Sequence, residues 1–201
     1  RADWLNTICD EFIKRGLNDK VEWKGQVRVN NGFVNQEMLN KMRKAGCWML
    51  AWGIESGNQT VLNNIHKAIT LQEVEDAIRM SAKAGIRNLG FFMGGNMTET
   101  KETVFDTIRF AKKLMRVGLD YVQWSLATPY PGTEFHEVCK KNNWIKVNRW
   151  EDWKDDKRIV IVDRPELPLQ WLQNTTEKAY KSFYMNPYYV ARQLSRIRSA
   201  D

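Results

Sequence analysis

The chain has 201 residues, of which 43% are hydrophobic and 27% are charged, a composition typical of a globular domain with a sizeable core. No apolar run approaches the roughly 20 residues that a membrane-spanning helix needs, so no transmembrane segment is predicted. The formal net charge is +7, yet 31 basic residues are interspersed with 24 acidic ones, which gives no strong nucleic-acid signal.

Three cysteines, Cys9, Cys47 and Cys139, lie far apart in the sequence. An odd number without a close pair argues against a disulfide framework and favours a reducing compartment, the cytoplasm. Neither their spacing nor that of the two histidines, His66 and His136, matches a metal-binding pattern. We therefore expect three buried, unpaired thiols and no metal ligand in the sequence.

Helix-like and strand-like segments alternate from the start of the chain to about residue 145. Helical spacing of apolar residues predicts helices over 2–16, 35–45, 70–84, from Thr98 or Thr100 to about 116, and 133–141. Strand-like runs cover 21–29, 48–54, 87–93 and 121–127. Strand–helix units about 30 residues apart predict parallel pairing through right-handed crossovers. The expected fold class is therefore α/β, a partial (β/α) TIM-like barrel with parallel strands.

The pattern changes near residue 145, which divides a barrel region at 1–145 from a mostly helical C-terminal extension at 146–201. Within the extension the sequence predicts a short strand at 158–162, a helix at 169–184 and a basic amphipathic helix at 186–198. The aromatic face of that last helix is expected to pack on the barrel or on a neighbouring domain, with a membrane or nucleic-acid surface as the alternative. Four strands do not close a barrel, so we expect the preceding strands in an N-terminal remainder of the same polypeptide.

The most informative stretch is the apolar run 47–54, which ends in Glu55 and Ser56. A carboxylate at the end of a buried strand needs a reason, because an unpaired buried charge is costly, and in parallel α/β folds this end of the strand is where ligands bind. Lys67 follows within the next segment and is expected to fold back over the strand ends. Arg28 ends the first predicted strand, and Gly94 ends the third.

These groups offer a cation for a carboxylate, a carboxylate for vicinal hydroxyls, glycine backbone for a flat ring, and a rigid proline turn at 128–133. This combination suits an amino-acid-bearing nucleoside. Structural ion pairs explain the charges of Arg28, Glu55 and Lys67 equally well, so chemistry alone leaves both interpretations open.

Four segments resemble, in order, consecutive strand regions of radical S-adenosylmethionine enzymes: 26–29 the third strand, 53–70 the fourth, 84–100 the fifth and 128–134 the sixth. Within that superfamily the chain is most similar to the cobalamin-binding class. The residues that resemble the C-terminal extension of that class are Trp150, Tyr180, Phe183, Tyr184, Asn186 and Pro187. The resemblance thus covers nearly the whole chain and identifies its strands as barrel strands three to six.

The resemblance implies a binding site for S-adenosylmethionine formed by nine residues: Arg28, Glu55, Ser56, Lys67, Met93, Gly94, Ala127, Thr128 and Pro129. It implies that Glu55, together with Ser56, binds the ribose hydroxyls. It also implies that Lys67, assisted by Arg28, pairs with the methionyl carboxylate. The backbones of the remaining five residues would flank the adenine. The resemblance assigns no catalytic side chain in this chain.

The sequence departs from the family in two places. The loop that usually reads Gly-Leu-Pro-Gly-Glu-Thr is Gly-Asn-Met-Thr-Glu-Thr at 95–100, without the proline that would stiffen it. The Cys-x3-Cys-x2-Cys loop that holds the family's [4Fe–4S] cluster does not occur in this sequence. The cluster ligands, and the domain for cobalamin in this class, are therefore expected outside this chain, which alone would be inactive.

The expected function is that of a radical S-adenosylmethionine enzyme. In the intact protein it would perform radical-based methyl transfer or carbon-skeleton modification of a small-molecule or lipid-like substrate. A cluster-free TIM-like barrel that serves as a binding or scaffold module is the alternative. An unrelated TIM-like hydrolase or aldolase is a third reading, but an aldolase would need Lys67 on a strand, and its position beyond Gly57 argues against that.

Overall fold

The structure is a computed structural model that describes residues 2–29, 34–147, 149, 151 and 162–197. The strands are β1 (Trp23–Arg28), β2 (Cys47–Glu55), β3 (Arg87–Gly94) and β4 (Tyr121–Leu126). The helices are α1 (Ala2–Lys14), α2 (Gln36–Lys44), α3 (Gln59–Asn64), α4 (Leu71–Lys83), α5 (Lys101–Val117), α6 (Glu134–Lys141), α7 (Leu169–Tyr184) and α8 (Pro187–Leu194). Every predicted helix and barrel strand is present, and α3 is an addition that the sequence interpretation lacked.

The four strands form one sheet in the order β1-β2-β3-β4. Strand β2 pairs in parallel with β1 on one side and with β3 on the other, so that Val27 lies opposite Trp52, and Trp52 opposite Gly90. The prediction of an α/β fold with parallel strands is confirmed. Both faces of β2 are covered, as in buried parallel sheets, and the Trp52 side chain is fully buried with its indole N–H donating to Asn88 at 2.8 Å.

The helix ends follow from local sequence. Thr70 caps α4 with a complete capping box, because its hydroxyl accepts the Glu73 amide and the Glu73 carboxylate accepts the Thr70 amide. At the junction between α5 and β4, Gly118 adopts a φ of +133°, and a Cβ there would collide with the Cβ of Ala82. Only glycine fits this helix-to-strand junction.

The chain separates into two compact units. The first comprises Arg1–Phe92 and Thr107–Gln123, and the second comprises Met93–Asp106 and Trp124–Asp201. The core of the first is built on β2 and on the buried faces of α2, α4 and α5. This division groups residues 93–106 and 124–145 with the C-terminal extension, whereas the sequence interpretation separated the extension at residue 145. That functional boundary stays a prediction.

In the second unit, α7 is fixed to β4 because the Tyr180 hydroxyl accepts the backbone N–H of Trp124 at 2.8 Å. Its C-terminal end packs through Phe183 and Tyr184 against Tyr189 of α8. The predicted strand at 158–162 lies outside the described residues except for Val162, which forms an isolated antiparallel bridge with Ile145. Trp150 also lies outside the described residues.

Candidate functional site

Glu55 and Lys67 form an ion pair at the carboxyl end of β2, with 2.7 Å between Lys67 Nζ and Glu55 Oε1. Their side chains are 19% and 14% exposed for Glu55 and Lys67, so the pair is largely covered yet reachable from solvent. The prediction that these two groups converge is therefore correct as geometry. What the pair binds is a separate question.

The backbone is bent to bring the two charges together. Glu55 has a φ of +68°, in the left-handed region that non-glycine residues seldom occupy, and the pairing of β2 with β3 is irregular between Gly53 and Glu55. His66 and Ala68, on either side of Lys67, also have positive φ angles, +54° and +51°. Such strained backbone concentrates at functional sites, and three examples surround this one ion pair.

The short helix α3 returns the chain from Glu55 to Lys67. The Asn58 side chain caps it by accepting the Val61 amide, and the Lys67 amide donates to the Leu62 carbonyl at 3.0 Å. Asn58 in the N-cap position followed by the apolar pair 61–62 was the available signal for this helix. Its length of six residues leaves too little periodicity to recognise from sequence.

Gly53 supplies the space that the ion pair occupies. A Cβ on Gly53 would lie 3.0 Å from Glu55 Oε1 and 3.1 Å from Lys67 Nζ, so any larger residue would push against both charged groups. Arg28, at the end of β1, is the register partner of Gly53 and has an exposed side chain. The structure thus brings the Arg28 backbone to this strand end without a described contact between its guanidinium and the pair.

Ser56 is fully buried and its hydroxyl is engaged inside the protein. It bonds the Thr107 hydroxyl at 3.1 Å and accepts the Asn58 amide, while Thr107 also accepts the Gly57 amide at 2.9 Å. These bonds fix the segment that follows Glu55. Direct contact of Ser56 with a ligand stays a prediction, and the described contacts give this serine a supporting position.

The other predicted residues lie in the second unit. The Ala127 amide donates to the Gly94 carbonyl at 2.8 Å, which joins the ends of β3 and β4. Thr128 accepts the Tyr130 amide at 3.0 Å and Pro129 is buried, so the chain after β4 forms the tight turn that the proline-rich sequence predicted. Met93, Gly94, Ala127 and Thr128 are partly exposed.

Glu99 is a buried carboxylate in this second unit that the sequence interpretation did not single out. Its Oε2 accepts the backbone N–H groups of Gly95 and Asn96, and the residue is only 4% exposed. Burial raises the pKa of Glu99 to about 7, an effect that the two amide bonds and Arg164 oppose. The loop that was expected to be loose for want of a proline is thus closed by its own glutamate.

An apolar cavity of about 590 Å³ lies in the first unit along β1, between α1 and α2. Its lining includes Trp4, Phe12, Trp23, Met38 and Leu50, and the polar end of β1 contributes Gln26 and Arg28. One residue predicted to bind the ligand, Arg28, therefore also borders this cavity.

The three cysteines are free and buried, as predicted. Burial raises the pKa of Cys47 to about 12 and that of Cys139 to about 11, which keeps these thiols protonated. Within the part of the chain that the structure describes, no three His, Cys, Asp or Glu side chains are arranged to hold a metal ion. In the same residues no helix is long and apolar enough to cross a membrane.

The sequence profile of the radical SAM superfamily matches residues 10–111, which include β1, β2 and β3 together with both Glu55 and Lys67. The chain belongs to this superfamily. Membership implies S-adenosylmethionine and a [4Fe–4S] cluster as the cofactors of the family, and it accords with the parallel sheet described above.

Two relatives have similar sequences over most of this chain. An uncharacterized methyltransferase of Pyrococcus horikoshii is 33% identical over 174 residues, which are 87% of this chain and 36% of the relative. The anaerobic magnesium-protoporphyrin IX monomethyl ester cyclase of Cereibacter sphaeroides is 38% identical over 179 residues, 89% of this chain and 28% of that protein. The chain spans about a third of the length of these relatives.

The fold is also similar to that of a solved radical S-adenosylmethionine methyltransferase, TsrM of Kitasatospora setae, whose structure contains cobalamin and a [4Fe–4S] cluster. The TM-score is 0.55 with 16% identity, over 71% of this chain and 29% of that one. At this identity the similarity concerns the fold.

The residues present fit the two cofactors of the family differently. For S-adenosylmethionine the donor set is suited: an acid and an amine, held at a strand end over a glycine with no Cβ, match a ligand with vicinal hydroxyls and a carboxylate. For a [4Fe–4S] cluster the described residues do not fit, because its ligands are thiolates and the cysteines here are dispersed, buried and protonated.

Proposed function

We propose that this chain binds S-adenosylmethionine and that the full protein uses it for radical-based methyl transfer or carbon-skeleton modification of a small-molecule or lipid-like substrate. The observation that carries the proposal is the Glu55–Lys67 pair at the carboxyl end of β2. The strained backbone at Glu55 and on either side of Lys67 is not explained by folding stability, because a partly exposed ion pair contributes only about 1 kcal/mol or less. Ligand binding gives that strain a purpose.

Glu55 would accept hydrogen bonds from the two ribose hydroxyls, since a carboxylate offers about four acceptor positions and the bond to Lys67 uses one. Lys67 would donate to the methionyl carboxylate, since an ammonium has three N–H groups. Arg28, which ends the neighbouring strand, would add a second positive charge for that carboxylate. Ser56 would support Glu55 by fixing the backbone behind it, through the bonds to Thr107 and Asn58.

The backbone of Met93 and Gly94, and that of Ala127, Thr128 and Pro129, would bind the adenine. Four of these five residues, all but the buried Pro129, are partly exposed, and glycine lets a flat ring approach the backbone closely. When bound, S-adenosylmethionine supplies an activated methyl group or, after reduction, a carbon-centred radical. The task of this chain is to orient the ligand and exclude water.

We further propose that the ligands of the [4Fe–4S] cluster, and the residues that bind cobalamin, lie outside this chain. The names of the two relatives, a methyltransferase and a cyclase, support methyl transfer and ring modification as the reaction types. The cobalamin in the related methyltransferase structure supports its use here. We propose the cytoplasm as the location because three free thiols suit a reducing compartment. We also keep the proposal that residues 1–145 belong to the barrel and 146–201 form an extension.

The proposal is tested by the affinity of the full-length protein for S-adenosylmethionine, measured by titration calorimetry under anaerobic conditions. Glu55→Gln and Lys67→Met should each weaken binding about tenfold to a hundredfold, as expected for a lost charge-assisted hydrogen bond of about 1.5–3 kcal/mol. A matched control is the ion pair of Glu75 with Lys113, whose glutamate is similarly covered at 11% exposure. Glu75→Gln and Lys113→Met should leave the affinity unchanged.

Unchanged affinity in both Glu55→Gln and Lys67→Met would contradict the proposed site. The alternative of a cluster-free binding module is tested separately by reconstituting the full-length protein with iron and sulfide. Reductive cleavage of S-adenosylmethionine by that preparation supports the enzyme, whereas binding without cleavage supports the scaffold. Product analysis with candidate substrates then identifies the reaction.

A further inference from the structure

Arg164 binds the loop that follows β3 through three backbone carbonyls. Its guanidinium donates to the carbonyl of Asn96 at 3.0 Å, to that of Met97 at 2.9 Å and to that of Glu99 at 3.0 Å. Arg164 is 5% exposed and lies 65 residues beyond Glu99 in the chain. A buried guanidinium that uses its donors on one short loop fixes the shape of that loop, because its planar fork presents them in a rigid geometry.

The same loop is also held by Glu99, whose Oε2 accepts the N–H groups of Gly95 and Asn96. The second oxygen, Oε1, is buried without a hydrogen-bond partner. Two long charged side chains thus serve one five-residue turn, the acid binding its amides and the base its carbonyls. In a solvent-exposed turn, water would bond most of these amides and carbonyls, without the desolvation free energy that burying two charged side chains requires.

The position of Arg164 is fixed by its neighbours within the second unit. Before it, Val162 bridges Ile145, and the Asp163 amide donates to the Trp144 carbonyl at 3.0 Å. The Asp163 carboxylate accepts the Leu169 amide at 2.9 Å and so caps the start of α7, where Pro168 offers no side-chain cap. The guanidinium lies over the Trp144 ring, 5.3 Å from its centroid.

The turn carries Gly94 and Gly95 into contact with α7. Gly95 has a φ of +90°, and a Cβ there would lie 3.2 Å from the Leu172 side chain, so a larger residue at this position would be both strained and crowded. Between Gly95 and Glu99 the chain reads Asn-Met-Thr, with no proline to set its φ angles. The rigidity that the local sequence lacks must therefore come from side chains elsewhere in the chain.

We propose that Arg164 is a positioning residue that fixes the turn 95–99 and thereby holds the Met93–Gly94 backbone in the orientation that binds the ligand. The inference rests on the proposed function for the identity of the ligand, S-adenosylmethionine. Arg164 touches no ligand itself and acts through the carbonyls of Asn96, Met97 and Glu99. It also gives the C-terminal extension a role in the site, since the residue that shapes the turn lies beyond residue 145.

The test uses the full-length protein with Arg164→Met, Arg164→Lys and the control Arg149→Met, which removes an arginine 74% exposed in the same unit. Hydrogen exchange of the Gly95 and Asn96 amides is measured without ligand, and affinity for S-adenosylmethionine is measured by calorimetry. Arg164→Met should speed exchange at both amides at least tenfold and weaken binding at least tenfold. Arg164→Lys keeps the charge but not the fork, and should lie between the wild type and Arg164→Met in both measurements.

The thermal midpoint of each variant separates positioning from general stability. A variant with a lowered midpoint but wild-type exchange at Gly95 and Asn96 and wild-type affinity overturns the inference, because Arg164 would then be merely structural. Should Arg164→Met fail to fold, Arg164→Lys decides by the same criteria. Faster exchange with unchanged affinity also overturns it.

Failure of the proposed function gives a different result. A wild-type protein that does not bind S-adenosylmethionine overturns the proposed ligand, and with it the link between the turn and that ligand. The exchange measurement, made without ligand, then still shows whether Arg164 fixes the turn. Exchange and binding both altered in Arg164→Met, with Arg149→Met unaltered in both, supports the inference.

Discussion

Glu55 and Glu99 are two carboxylates that follow neighbouring strands, and the protein treats them in opposite ways. Glu55 is paired with an ammonium, remains 19% exposed and stands on strained backbone. Glu99 is 4% exposed, accepts backbone amides of its own turn and has its pKa raised to about 7 by burial. The Glu55 carboxylate is therefore accessible to a ligand, whereas the Glu99 carboxylate is enclosed by the turn 95–99 whose amides it binds.

Solvent access and the location of hydrogen-bond partners distinguish carboxylates that bind a ligand from carboxylates that support the fold. A group intended for a ligand needs acceptor positions that solvent can reach and a partner that neutralises it while the ligand is absent. A group intended for support has its contacts made within the chain and tolerates an unfavourable charge state for their sake. The first kind should govern affinity, whereas the second should govern the free energy of unfolding.

The strongest test of this comparison is Glu99→Ala. Removing the carboxylate leaves the buried Gly95 and Asn96 amides without their acceptor, and each such loss costs about 1–3 kcal/mol. We expect the free energy of unfolding to fall by about 4 kcal/mol, measured by urea denaturation at pH 5, where the carboxyl is mostly protonated. Glu55→Ala in the same assay should cost about 1 kcal/mol, and equal losses would contradict the comparison.

A second test follows from the pKa of Glu99, about 7 in the folded protein against an ordinary value of 4.5. Because the folded state holds the proton more tightly, this group stabilises the fold fully below pH 4.5, and the contribution is lost as the pH rises through 7. The loss amounts to about 3 kcal/mol for a shift of this size. The Glu99→Gln variant should lack this part of the pH dependence, so the difference between its unfolding free energy and that of the wild type should change by that amount between pH 4.5 and 8.

Urea denaturation at four or five pH values in that range provides the measurement. Glu73→Gln, which alters a carboxylate in the capping box of α4, is the control for losing a carboxylate outside the turn 95–99. A wild-type and a Glu99→Gln curve that run parallel across the range would mean that Glu99 is ionised in the fold, with a pKa near that of a solvated glutamate.

Most of the fold was predictable because the signals are local. Helical spacing acts within a few residues, and the helices that it predicted are present. The Thr70 capping box and the glycine at the end of α5, which set where helices begin and end, are equally local. The approach of Glu55 and Lys67 was also predictable, since the two residues are only 12 positions apart in the segment that leads from β2 to α4. These features need no knowledge of the rest of the chain.

The features that could not be predicted depend on partners distant in sequence, or on backbone angles that the residue types do not indicate. Arg164 binds a turn that ends 65 residues earlier in the chain. The local sequence around Arg164, between a strand-like run and α7, does not indicate that its guanidinium is buried. The positive φ angles at Glu55, His66 and Ala68 occur at non-glycine residues, so no glycine marked them. The family resemblance implied that Ser56 helps Glu55 to bind the ribose, which stays a prediction, and the bond between the Ser56 and Thr107 hydroxyls had no sequence signal.

Thr107→Val tests whether the Glu55 region has a supporting group of its own. The change keeps the shape of the side chain and removes the hydroxyl that bonds Ser56 and accepts the Gly57 amide. We expect a loss of about 2 kcal/mol in the free energy of unfolding and a severalfold weaker affinity for S-adenosylmethionine, because the segment after Glu55 loses its anchor. Thr175→Val, a buried threonine of α7, is the matched control. A Thr107→Val protein with wild-type stability would mean that Ser56 and Gly57 find other partners.

Lys67→Met should have the smallest effect on folding and is the sharpest test of what the ion pair is for. The pair is partly exposed, so solvent screens it, and the loss of the ammonium should change the free energy of unfolding by about 1 kcal/mol or less. Removing it also relieves nothing in the backbone, because His66 and Ala68 keep their positive φ angles. Affinity for S-adenosylmethionine should nevertheless fall at least tenfold. A loss of 3 kcal/mol or more in stability, with affinity retained in the folded fraction, would place Lys67 with Glu99 among the supporting groups. The strained strand end would then serve the fold and not a ligand.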